Sequence, residues 1–93
     1  MNIFASLKVY AGKWSEKEAR DFSTEEIAAI TMAVVVPSQY GNSVQFIRKD
    51  GGMSFIPLDQ NANVGIGEMI DLTKARLVTL EKEGEADIYR VRI

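Results

Sequence analysis

The chain has 93 residues, of which 46% are hydrophobic and 26% charged, and its formal net charge is −2. This length predicts one small domain covering residues 1–93. The chain has no cysteine and no histidine, which excludes disulfides, thiolate nucleophiles, and the commonest general base and zinc ligand. The slight acidic excess creates no overall basic field for nucleic acid, so any such binding requires a local basic face.

Membrane insertion and export are not expected from the sequence. No apolar run approaches the roughly 18 residues of a membrane span, and residues 1–8 lack the basic, apolar and cleavage regions of a signal peptide. We therefore expect a cytoplasmic protein with no membrane partner.

The N-terminal third predicts a strand, an irregular segment and a helix. Apolar and other residues alternate over residues 3–10, which is typical of a strand. Residues 15–18 have capping-box spacing, but little apolar surface follows, so we expect a short turn or an irregular arm there. Ser23 and Glu26 form a second capping box. Phe22 before this cap completes the start signal of a helix over about residues 24–33.

The central segment predicts three consecutive strands. Their expected ranges are 34–36, 44–49 and 53–58. Pro37 cannot donate to a ladder and favours an edge strand. Tyr40–Ser43 and Asp50–Gly52 are rich in turn-forming residues, and Asp50–Gly52 is the clearest hairpin turn in the chain.

The remaining residues predict a loop and three further strands. Residues 59–67 are polar and glycine-containing, and the strands that follow are expected at 68–72, 75–80 and 88–93. This count predicts a mainly β (α+β) fold, a small five- to six-stranded antiparallel barrel of OB-like or SH3-like type. The absence of a helix between the third and fourth strands weakens the OB alternative.

Motifs for catalysis or metal binding are incomplete. Asp59, Asn61 and Asn63 have the spacing of a calcium loop, but Val64 and Ile70 stand where glycine and glutamate are needed. Gly65–Gly67 is half of a phosphate-binding fingerprint with no following helix. We predict a non-catalytic protein with no metal and no cofactor.

A binding surface is the remaining candidate for function. Aromatic side chains that stack on bases, together with cations along the backbone, hold single-stranded nucleic acid. The candidate nucleic-acid-binding residues are Tyr40, Phe46, Arg48, Lys49, Arg76, Arg90 and Arg92. Phe55 also lies on the central strands, but burial in the core is the stronger expectation for both Phe46 and Phe55. Tyr40, at a turn, is the best candidate for an exposed functional aromatic.

Two segments suggest a family. Residues 34–59 (VVVPSQYGNSVQFIRKDGGMSFIPLD) resemble the opening strands of OB-fold single-stranded DNA-binding proteins of phages and mobile elements. Residues 67–93 resemble the closing half of small bacterial or phage proteins. This second resemblance does not point to any particular activity. The first resemblance implies that Tyr40, Phe46 and Arg48 lie on a binding face. The acidic balance and the strand before the helix depart from that family.

Two functions therefore stand as hypotheses. The first is a binding module for single-stranded nucleic acid in a phage or mobile-element context. The second is a protein-interaction or assembly module, with a protein partner or a second copy of the chain, that uses an exposed edge strand.

Overall fold

The fold consists of two antiparallel three-stranded sheets and one short helix. The computed structural model describes residues 13–39 and 41–93, so the predicted strand at 3–10 and Tyr40 lie outside the described residues. In chain order the elements are β1 (Ser15–Asp21), α1 (Thr24–Ala29), β2 (Ile30–Ser38), β3 (Gly41–Arg48), β4 (Met53–Pro57), β5 (Arg76–Glu81) and β6 (Ile88–Arg92). The prediction of a mainly β protein with little helix is confirmed.

One sheet is a meander of β2, β3 and β4, in that order. The turn between β3 and β4 forms as expected: Gly51 adopts a φ of +89°, and the Asp50 carboxylate accepts from the Gly52 N–H at 2.7 Å. The resulting register places Phe46 opposite Ser54 and Gln45 opposite Phe55. Residues directly opposite each other share a face of the sheet, so Phe46 and Phe55 lie on opposite faces.

The other sheet has the order β1, β5, β6. The expectation of a turn or an irregular arm at residues 15–18 is wrong, because Ser15–Asp21 pairs along β5 with one irregularity between Glu16 and Glu18. This strand is mostly polar because little of it faces the core. Its pairing partners on β5 lie about sixty residues away in sequence. The local pattern of apolar and polar residues gives no signal of a pairing over that distance.

The helix begins as predicted and ends early. The Glu26 N–H donates to Ser23 Oγ at 3.1 Å, and the Glu26 carboxylate accepts from the Ser23 N–H at 2.8 Å. The predicted end at residue 33 is wrong: Ile30 is already extended, with φ −104° and ψ 126°, and it pairs with Arg48. The β-branched residues that follow gain more from this pairing than from further helical turns.

The two sheets pack around one core. Its buried members are Phe22, Ala33, Val35, Val44, Phe46, Leu58, Leu72, Ala75 and Val91. A parallel bridge joins Leu58 to Val91, and the Asp59 N–H donates to the Val91 carbonyl at 2.9 Å. Among the described strands the sheets remain two separate ladders, without the closed barrel that was predicted. The expected strand at 68–72 is reduced to a single bridge between Met69 and Val34.

Candidate functional site

An aromatic groove lies between β4 and β6, where the two sheets diverge. Its volume is about 570 Å³, and its apolar walls are Trp14, Phe55, Ile56, Pro57, Ile88 and Tyr89. Asp87 and Arg90 supply the charges among its described lining residues. We refer to these eight residues as the aromatic groove.

The strand register explains why the aromatic side chains of the groove are exposed. Phe55 is 57% exposed because it lies on the outer face of its sheet, while Ile56 beside it packs against the core. Tyr89 is 49% exposed; it precedes Val91, which is fully buried at the end where the strands meet. Exposed aromatic surface gathered in a concave site is typical of a binding surface.

Among the described residues, the walls of the groove are also strand edges without a neighbouring strand. In this part of the chain β4 pairs along its length with β3, and β6 with β5, and the Leu58–Val91 bridge joins the two edges at one end of the groove. The Leu58 N–H donates to the Asn42 carbonyl at 3.0 Å, which makes Pro57 and Ser43 a non-hydrogen-bonded pair. By the two-residue alternation of an antiparallel ladder, the N–H and C=O of Phe55 therefore also point away from β3, toward the groove.

The edge of β6 that faces the groove also directs main-chain groups away from its paired strand. The Val91 carbonyl accepts from the Asp59 N–H, so it points away from β5. Tyr89 lies two residues earlier, and its backbone N–H and C=O are directed to the same side. Phe55 and Tyr89 thus each present an aromatic side chain together with main-chain groups that have no strand partner among the described residues.

The other two outer edges in the described chain are protected. β2 is covered at its centre, because Val35 and Ala33 exchange backbone hydrogen bonds with residues 67–70 at 2.8–2.9 Å. β1 carries alternating charges and an irregularity between Glu16 and Glu18. Covering segments, charges and bulges are the usual defences of an edge strand, so the edges beside the groove differ from the rest.

Charge is distributed unevenly along the groove. Asp87 lies at one end and accepts from Lys17 Nζ at 3.0 Å; this hydrogen bond and the carboxylate charge raise the pKa of Lys17. Arg90 lies nearer the bridge between the sheets, and it forms no ion pair among the described residues. Lys82 Nζ lies 5.7 Å from the centre of the Trp14 ring, which is within cation–π range.

An acidic pocket adjoins the Asp87 end of the groove. Its described lining residues are Lys13, Ser15, Glu81, Lys82, Glu83, Glu85 and Asp87. Four carboxylates and two ammonium groups line this pocket, and it shares Asp87 with the aromatic groove. Because Lys17 holds Asp87 from outside the lining, one net negative charge remains. A ligand in the groove therefore meets negative potential at one end.

A second, smaller cavity lies beneath the helix. Its volume is about 230 Å³, and core side chains including Phe22 and Phe46 line it. Glu26 and Arg48 lie at its polar side, but Glu26 is bound by Arg20 and Arg48 contacts Asp50 at 3.6 Å. Ser54 also lines the cavity and accepts from Arg48 at 3.4 Å, so the polar side chains among its described lining residues are already engaged.

The predicted aromatic site residues are not brought together. Tyr40 lies outside the described residues. Phe46 is only 3% exposed, and its ring packs against Phe22 with centroids 5.9 Å apart, so it occupies the core and cannot stack on a ligand. The expectation that Phe55 is a core residue is wrong, since its outer face is open to solvent.

Most of the predicted basic residues are engaged by carboxylates. Arg76 Nε lies 3.4 Å from Asp21. Arg92 binds Glu16 at 2.9 Å and Asp59 at 2.7 Å, and these two contacts raise its pKa.

Arg48 has the partner Asp50 described above, and Lys49 is exposed on the turn between β3 and β4. Among the described members of the predicted set, only Arg90 lines the aromatic groove. Trp14 and Tyr89 were not among the predicted site residues. The placement of Trp14 depends on β1, which the sequence did not reveal.

The described part of the chain contains no cluster of metal-binding side chains and no membrane-spanning helix. Within residues 13–39 and 41–93, no group of three or more acidic side chains has the geometry of a metal site. Asp59, the first residue of the calcium-like spacing, is bound by Arg92. No helix in the described ranges is long and apolar enough to cross a bilayer.

Comparison with known proteins finds no matching family model, no similar curated protein and no similar solved structure. The resemblance to OB-fold single-stranded DNA-binding proteins therefore stays a prediction.

Proposed function

We propose that the chain is a non-catalytic protein-interaction module that binds an extended polypeptide segment in the aromatic groove. The observation that carries this proposal is made at Phe55 and Tyr89, where exposed rings coincide with strand-edge backbone that has no strand partner in the described part of the chain. A segment added along an edge gains main-chain hydrogen bonds, and pockets for its alternate side chains supply specificity.

The expected affinity is moderate. Each main-chain hydrogen bond contributes about 0.5–1.5 kcal/mol net. Covering the exposed part of Phe55 and Tyr89 contributes about 2–3 kcal/mol each at roughly 25 cal/mol per Å². The loss of translational and conformational freedom offsets much of this gain. The free energy that remains corresponds to a Kd of about 1–100 µM.

We also propose that the two sheets, which the Leu58–Val91 bridge joins, are the halves of a partly open barrel of SH3-like or OB-like type, with its opening along the groove. An added strand on β4 would extend the meander toward β6. The incomplete barrel would thus serve a cytoplasmic binding role.

Selection from a peptide library tests the proposal although the partner is unidentified. Random twelve-residue peptides displayed on phage are selected on the full chain, and enriched peptides are synthesised with a fluorescent label. We expect saturable anisotropy and a change in the fluorescence of Trp14, which is the single tryptophan of the chain and lines the groove.

Matched variants localise the binding. Phe55→Ser should weaken it at least tenfold, whereas Ile66→Ser removes an equally exposed side chain outside the groove and should leave it unchanged. Failure to enrich any peptide, or equal loss in both variants, would overturn the proposal.

Single-stranded nucleic acid is the second candidate, favoured by Arg90 beside Phe55 and Tyr89. The acidic pocket and the paired arginines weigh against it, because phosphates require net positive potential. We expect labelled oligo(dT) of twelve nucleotides to show no saturable binding at 50 mM NaCl. Salt-dependent binding lost in Arg90→Gln and retained in Arg76→Gln would instead support nucleic acid and exclude the peptide proposal.

A further inference from the structure

The groove has a closed end and an open end, and they differ in charge. The Leu58–Val91 bridge and the Asp59 hydrogen bond close it at one side. At the other side β6 begins at Ile88, directly after Asp87 and the loop that carries Glu83 and Glu85. A segment that lies along β4 and β6 therefore leaves the groove next to the acidic pocket.

The acidic side chains at the open end are available to a ligand. Glu83 and Glu85 are exposed and form no ion pair within the described parts of the chain. The two lysines of the pocket compensate only part of its charge, and Lys82 lies beside the Trp14 ring. Asp87 is held by Lys17, but it still lines both the groove and the pocket.

We infer that the partner is an extended, largely apolar protein segment with a lysine or arginine immediately beyond the end that leaves the groove at Asp87. This inference rests on the proposed function. The groove supplies the site, and charge complementarity at its open end selects among occupants. Successive residues of an extended segment are about 3.3 Å apart, so a cation one or two residues beyond the groove lies within reach of the pocket.

The same complementarity disfavours two other occupants. An acidic segment or a phosphate backbone would bring negative charge to a negative pocket, and close like-charge contacts are unfavourable. Exposed ion pairs are individually weak, so the basic residue tunes affinity and orientation and does not create the binding. The expected effect is about a two- to fivefold change in Kd at low salt.

The experiment uses the selected peptides and two double variants of the full chain. Enriched sequences should carry Lys or Arg beside their apolar core more often than Asp or Glu. Replacing that basic residue by serine in a synthetic peptide should weaken binding about two- to fivefold at 50 mM NaCl, and much less at 500 mM NaCl. Glu83→Gln/Glu85→Gln should weaken the basic peptide similarly and leave the serine peptide unchanged.

The control variant Glu18→Gln/Glu25→Gln removes the same net charge from exposed positions that do not line the acidic pocket, and it should bind both peptides normally. Peptides that bind the groove without a basic preference would overturn this inference and leave the proposed function standing. Equal weakening in the two double variants would also overturn it, as a general charge effect. Failure to recover any groove-dependent peptide would remove the proposed function itself.

Discussion

Replacement of Glu26 by glutamine should destabilise the domain in a pH-dependent way, because Glu26 connects β1 to the start of the helix. Its carboxylate accepts two hydrogen bonds from Arg20, at 2.8 and 2.9 Å, and a third from the Ser23 N–H. These contacts, with the Arg20 hydrogen bonds first and the Ser23 backbone hydrogen bond second, lower the pKa of Glu26 from 4.5 to about 2. Glu26→Gln keeps the shape of the side chain and removes the charge.

The magnitude follows from the two contacts that weaken. A glutamine oxygen can still accept from the Ser23 N–H, but loss of the charge weakens this contact and the interaction with the helix dipole by about 0.3–1 kcal/mol. The bidentate pair with Arg20 adds less than a buried pair would, since the two side chains are 41% and 39% exposed and solvent screens them. Conversion of the full pKa shift into stability would overstate the effect for the same reason. We expect a loss of about 1–1.5 kcal/mol at pH 7, or a decrease in Tm of about 5–10 °C for a domain of this size.

The sign of the pH dependence is fixed by the direction of the pKa shift. A carboxylate with a lowered folded-state pKa stabilises the fold above its unfolded pKa, and this contribution disappears as pH falls through the folded pKa. The difference between wild type and Glu26→Gln should therefore be largest above about pH 5 and narrow between about pH 4.5 and 2.

Urea denaturation followed by circular dichroism at pH 7, 4, 3 and 2 measures this difference. Glu25→Gln is the matched control, because Glu25 lies in the same helical turn, is exposed and forms no ion pair in the described chain. It should change stability by less than about 0.5 kcal/mol. A difference that stays constant from pH 7 to 2, or an equal effect of Glu25→Gln, would refute the assigned role of Glu26.

Three further predictions concern the fold. Phe46→Leu should lower stability by about 1–2 kcal/mol without changing peptide affinity per folded molecule; a loss of binding at unchanged Tm would contradict its place in the core. Gly51→Ala should lower the free energy of unfolding, measured by urea denaturation, by about 1 kcal/mol, because the φ of Gly51 is +89°. Gly65→Ala is the control: this residue has no positive φ, so the change should be neutral or slightly stabilising. Arg92→Met should lower Tm at 50 mM NaCl and less at 1 M NaCl, while Arg90→Met should show no such salt dependence; equal behaviour would mean that the Arg92 ion pairs do not stabilise the fold.

Local signals predicted the parts of the fold that local interactions determine. The capping box fixed the start of the helix, and the Asp50–Gly52 turn fixed the hairpin of β3 and β4. The end of the helix and the existence of β1 depend instead on pairing across the chain: Ile30 pairs with Arg48, and Asp21 pairs with Arg76. Such tertiary pairing overrides local propensity and leaves little trace in a short window of sequence.

The aromatic groove could be predicted from the sequence only in part, and the hairpin of β3 and β4 shows why. Once the Asp50–Gly52 turn sets the register, Phe46 and Phe55 must lie on opposite faces, so they could not both be core residues. The sequence alone does not state which face is inward; the contact of Phe46 with Phe22 decides it. This contact forms because Phe22, the residue before the helix cap, reaches Phe46 on β3. The helix start, which the sequence did predict, therefore places Phe46 inward and Phe55 outward. The outward Phe55 forms one wall of the groove.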